Sequence, residues 1–149
     1  MNNLFWPTLY VKNHIPKTAK LSSSARTLLD VFLVFMRAED NLISFSEGGM
    51  DFYLQYCNET LNINYSEKTV RNAISELNHK DLLLKSRNNI YYINPLYFFK
   101  LHDKINHKEL IEETQKRTGA NLIDNNMKVV LIKKKVDQES ELNQDKPLF

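Results

Sequence analysis

Three glycines and four prolines among 149 residues leave few places for tight turns, which favours helices over an all-β design. The hydrophobic content, 42%, is enough to form a core and excludes wholesale disorder. At this length one domain with an appended arm is expected. The longest apolar stretch, Val31 to Met36, falls far short of a membrane span. The start, Met1 to Pro7, lacks the basic region and long apolar run of a secretory signal. Cys57 is the only cysteine, so neither an internal disulfide nor a cysteine-based zinc site is expected. Together these features predict a soluble, cytoplasmic chain with no membrane partner.

Residues 1–21 show no sustained period. Leu4, Trp6, Leu9 and Val11 can line one side of a short strand interrupted by Pro7, an arm that packs on the domain or on a second subunit. The first clear helix follows the serine run Ser22 to Ser24, a source of N-cap oxygens. Its apolar stripe is Leu28, Val31, Phe32 and Phe35, widened by Leu29, Leu33, Val34 and Met36, and Glu39-Asp40-Asn41 ends it. Leu42 to Phe45 reads as a short strand. Ser46 is then expected to cap a helix to about Leu61 with Met50, Tyr53, Leu54 and Cys57 inward, unless Gly48-Gly49 is a loop that delays its start.

Ser66 caps the next predicted helix, which runs to about Lys80. Val70, Ala73, Ile74 and Leu77 fall at i, i+3, i+4 and i+7 on one face of it. Asp81 to Lys85 reads as a strand, Ser86 to Asn89 as a polar turn and Ile90 to Ile93 as the returning strand, broken by Asn94-Pro95. Leu96-Tyr97-Phe98-Phe99 is expected to open another helix, with Pro95 in its first turn. His107 to Arg117 predicts a charged helix stopped near Gly119. Lys128 to Lys133 is a late strand candidate, and from Asp137 the tail is polar and expected to be disordered. The fold class is thus α+β, mainly helical, in the element order of a winged helix-turn-helix: arm 1–21, winged helix 22–101, a helical and strand extension 102–136, and tail 137–149.

The functional signal lies in the third long helix and the turn after it. Opposite the apolar stripe stand Lys68, Arg71, Asn72, Ser75 and His79, with Glu67 and Glu76 toward the flanks. A helix seated in a DNA major groove needs this division, an apolar back and donors in front. Arginine matches guanine O6 and N7, asparagine pairs with adenine, and the helix start at Ser66, Lys68 and Thr69 offers free amides to a phosphate. The turn Lys85, Ser86, Arg87, Asn88 and Asn89 adds two cations and two amides without an acid, as a wing along a phosphate backbone or in a minor groove requires.

The run Ser66-Glu67-Lys68-Thr69-Val70-Arg71-Asn72-Ala73-Ile74-Ser75-Glu76-Leu77, followed by Asp81-Leu82-Leu83, resembles the recognition helix and first wing strand of bacterial winged-helix proteins. Asn89-Ile90-Tyr91-Tyr92-Ile93-Asn94-Pro95-Leu96-Tyr97-Phe98-Phe99-Lys100 is similar to the wing and exit of Gram-positive plasmid replication initiators of the RepL type. The resemblance covers roughly residues 22–101. One departure is Asp81, where many such domains have a glycine between helix and strand. The resemblance implies binding of plasmid origin DNA and recruitment of host replication proteins, without a catalytic centre.

Other chemistries find little support in the residues. His14, His79, His102 and His107 form no HExxH or i,i+4 pair, so neither metal nor cofactor is expected. Gly48-Gly49 lacks the spacing of a phosphate-binding loop. Glu112-Glu113 and Glu39-Asp40 read as solvated acids. Tyr91, Tyr92 and Tyr97 are conceivable nucleophiles for DNA nicking, but as wing aromatics they are better suited to packing, and no enzyme activity is expected. The rivals to replication initiation are a winged-helix transcription regulator and a protein-interaction module. Homodimerisation is open, with the Phe5-Trp6 arm and Val129 to Ile132 as candidate elements. The chain as a whole carries 20 Lys and Arg against 18 Asp and Glu, but residues 60–100 hold 6 against 3, so the near-neutral total hides a local basic surface.

Overall fold

A computed structural model describes residues 9–11, 15–100 and 102–122. The elements run β1 (Leu9–Val11), α1 (Ile15–Thr18), α2 (Ser23–Phe35), β2 (Leu42–Ser44), α3 (Gly49–Leu61), α4 (Glu67–His79), β3 (Leu83–Arg87), β4 (Ile90–Ile93), β5 (Phe98–Lys100) and α5 (His107–Thr118). The class is α+β: about half of the described residues are helical, and the strands form two small antiparallel sheets, β1–β5 and β2–β4–β3. The expected strand Lys128 to Lys133, the tail from Asp137, and Leu4 and Trp6 of the arm lie outside the described residues.

Side-chain caps explain three helix starts. Ser22 Oγ accepts from Ala25 N at 3.2 Å and Ser66 Oγ from Thr69 N at 3.1 Å, so both serines cap as their positions imply. Asn106 and Glu109 form a reciprocal capping box at α5, and Gly119 ends that helix in the left-handed region at φ 74°. The apolar stripes meet as expected except at Val34, which the sequence places on the widened stripe of α2 but which is exposed. Leu28 and Phe32 of α2 and Val70, Ala73, Ile74 and Leu77 of α4 are buried in one core, with Phe45 and Tyr53 edge-on to Phe32. Cys57 is wholly buried there, and burial pushes its thiol up, as befits a small core residue.

Four expectations are corrected. Ser46 does not cap α3, because its hydroxyl pairs with Ser44 Oγ at 2.9 Å. The helix instead starts at Gly49 after Gly48 at φ 87°, and the glycine pair acts as the loop that delays it. Gly49 is needed there, since a Cβ would lie 2.2 Å from Ser44 O. α2 ends at Phe35 rather than at Glu39 to Asn41, with Lys100 Nζ donating to the Val34 and Met36 carbonyls at 2.9 Å. β3 starts two residues late because Asp81 takes φ 60° as α4 exits, the conformation a glycine adopts without cost. It then continues to Arg87, leaving Asn88-Asn89 as the turn and Ser86 as a bulge.

The fourth correction is the largest. Phe98 to Lys100 is a strand, not part of a helix after Pro95. Asn94 Oδ1 accepts from Leu96 N at 2.9 Å and folds the backbone into a turn, after which β5 pairs antiparallel with β1. Tyr10 stacks on Phe99 with ring centroids 4.8 Å apart, so this part of the arm packs on the domain.

Buried Asn41 holds these pieces together. Its backbone is left-handed at φ 63°, and its Nδ2 donates to Ile93 O at 3.0 Å and Phe98 O at 2.9 Å. Its backbone oxygen accepts from Ile93 N and its backbone N–H donates to Arg37 O. Asn41→Ala removes the buried amide donor to Ile93 O and Phe98 O and keeps a Cβ in the left-handed region. It is expected to cost about 3 kcal/mol, and Asn41→Gly about 1 kcal/mol less, as read from urea midpoints.

Candidate nucleic-acid interface

The outer face of α4 is built by its own periodicity. With Val70, Ala73, Ile74 and Leu77 buried, Ser66, Lys68, Arg71, Asn72, Ser75 and His79 are all exposed. Thr69 is half-buried, and its hydroxyl lies 3.0 Å from Ser66 Oγ, so these two hydroxyls close the cap. Lys68, Arg71, Asn72, Ser75 and His79 form the outward display.

Both flanking acids have partners. Glu67 Oε2 accepts from Arg71 Nε at 2.9 Å, an exposed i,i+4 pair whose main effect is to orient the guanidinium. Glu76 turns the other way, to the start of α2. Its Oε2 accepts from Ser22 N at 2.8 Å and its Oε1 from Ser22 Oγ at 2.7 Å. These Ser22 donors hold the Glu76 carboxyl below its ordinary range. A carboxylate beside a helix N-terminus also complements the free amides there. The pair works as a capping box shared between two helices.

The hairpin residues divide. Lys85, Arg87 and Asn88 are exposed, whereas Ser86 and Asn89 are half-buried. Asn89 shapes the turn, with φ 63° and its carbonyl accepting from Phe45 N at 2.8 Å. Ser86 is not a free donor: its Oγ donates to Arg117 O at 3.1 Å, at the end of α5. The Arg117 guanidinium lies 5.7 Å from the Tyr92 ring centroid and 3.7 Å from Asp40 Oδ2, a carboxylate also held by Arg37. This docking of α5 on the hairpin was missed in the sequence, where Arg117 is one charge in a charged helix.

Between α4 and the hairpin lies a cleft of about 220 Å³, and it brings together Arg71, Ser75 and Asn78 of α4 with Lys85 of β3. Its apolar walls are Ile74, Phe45 and Tyr91, the last two edge-on at 5.8 Å. Asn78 Nδ2 donates to Leu83 O at 2.8 Å and ties the helix to the strand. Lys68, Asn72, His79 and Arg87 do not line this cleft.

No protein-family model, curated protein or solved structure matches the chain. Among the described residues no group of three His, Cys, Asp or Glu side chains is placed to hold a metal ion. No helix among them is long and apolar enough to cross a membrane.

The Glu76–Ser22 contact gives a pH test. A carboxyl with a depressed folded pKa stabilises fully above the ordinary carboxyl range, and that stability is lost as pH falls through the depressed value. Glu76→Ala is expected to cost about 1 kcal/mol at neutral pH, the scale of an N-cap. The gap between wild-type and variant thermal midpoints should narrow as the solution is acidified.

Proposed function

We propose that this protein is a winged-helix, sequence-specific binder of double-stranded DNA, with α4 as the recognition helix and the β3–β4 hairpin as the wing. The observation that carries this reading is the disposition of charge around α4. Its exposed face presents Lys68, Arg71, Asn72, Ser75 and His79, while Glu67 is engaged by Arg71 and Glu76 by Ser22. The hairpin beside it exposes Lys85, Arg87 and Asn88. A cationic helix face next to a short basic ribbon suits a major groove and an adjoining backbone. The order α2, β2, α3, α4, β3, β4 supports the same reading.

The biological role we propose is initiation of plasmid replication at an origin, with host replication proteins as further partners. It rests on the likeness of residues 89–100 to RepL-type initiators, and it needs no catalytic residue in this chain. Binding to duplexes taken from the flanks of the coding sequence tests origin recognition. Loss of replication from a plasmid carrying a binding-deficient variant separates initiation from transcriptional control. Light scattering of the DNA complex gives the stoichiometry, since a two-fold dimer reads a palindrome and a monomer a single or directly repeated site.

Two substitutions probe the face itself by fluorescence anisotropy against cognate and scrambled duplexes. Asn72→Ala is expected to weaken cognate binding by about 1–3 kcal/mol and to spare scrambled DNA. Arg87→Ala should weaken both alike and lower the salt slope by about one. Cognate affinity unchanged in both folded variants would remove the DNA reading in favour of a protein-interaction module.

A further inference from the structure

Arg71 and Lys85 are 14 positions apart and belong to different elements, yet both line the cleft between α4 and the hairpin. Among the described residues no acid lines that cleft. Glu67 takes Arg71 through Nε, which leaves the terminal guanidinium nitrogens without a partner among the described residues. Ser75 adds a hydroxyl to the same lining, and Ile74, Phe45 and Tyr91 form its apolar wall. A wall of this kind keeps water off one side of a charged pair and strengthens the interaction. At about 220 Å³ the cleft falls below the ~300–1,000 Å³ usual for small-molecule sites but has room for a phosphate group.

We infer that this cleft seats a single phosphodiester of the DNA backbone, gripped by Arg71 from the helix side and Lys85 from the hairpin side. This deepens the proposed DNA reading and rests on it. The guanidinium fork suits a tetrahedral anion as well as it suits guanine, and here a second cation shares its space. Arg71 is thereby assigned to the backbone, and base reading along α4 falls to Lys68 and Asn72. Because one phosphate touches both elements, it fixes how far the helix sits in its groove relative to the wing.

The test is a double-mutant cycle in the full chain, with Arg71→Met, Lys85→Met and the double variant, each checked for a wild-type circular dichroism spectrum. Both positions are exposed, so folding is expected to survive. If the two cations share one phosphate, each single variant loses roughly tenfold in affinity and about one unit of salt slope, and the double loses little more than either. Losses that multiply, with the slope falling by about two, would mean two separate phosphates and overturn the shared site. The shared site is equally overturned if both cleft variants bind normally while Asn72→Ala does not, and in that case DNA binding itself stands. Absence of duplex binding by the wild-type chain removes both the reading and the shared phosphate.

Discussion

One side-chain amide, that of Asn41, decides where the second half of the chain can go. It sits at the junction of the α2 exit and β2, and reaches the end of β4 and the start of β5. One amide thus donates to a carbonyl of each sheet inside the molecule and links the two. Asn94 repeats the device on the other side of the turn. Its Nδ2 donates to Asp81 O at 2.8 Å and its backbone N–H to Leu82 O, tying the exit of β4 to the exit of α4. With both ends of the hairpin held in this way, the angle between hairpin and helix is a property of the core rather than of the loop.

The charge pattern of α4 depends on the same packing. Read along the sequence, Glu76 and Arg71 belong to one helix surface, and their sum is neutral. In three dimensions the Glu76 carboxylate is drawn to the amino end of α2, where Ser22 supplies two donors. The acid therefore caps α2 while the cations stay on the outer face. This division is why a chain with a formal charge of only +2 can present a locally basic surface.

Features with a local cause were legible in the sequence, and those with a distant partner were not. The period of Val70, Ala73, Ile74 and Leu77 gave the buried face of α4 and, by subtraction, its exposed one. Ser22, Ser66 and Gly119 act on backbone groups within a few residues, so their roles could be read directly. Leu96 to Phe99 carries apolar residues without a period, and only pairing with β1, nearly ninety residues earlier, makes part of it a strand. Ser46 had a competitor in Ser44 that spacing alone does not reveal. The bonds from Glu76 to Ser22 and from Ser86 to Arg117 span 54 and 31 positions, and no pattern in the chain points to either.

The seat of α5 against β3 has a mechanical consequence. The hairpin is a beam clamped at its root, with Arg117 bracing it through Ser86, Tyr92 and Asp40. The brace lands at the bulge, so only the stretch from Arg87 to Asn89 overhangs it. A short overhang is stiff, and thermal bending at its tip is correspondingly small. Any load on the tip is passed through Ser86 to the end of α5.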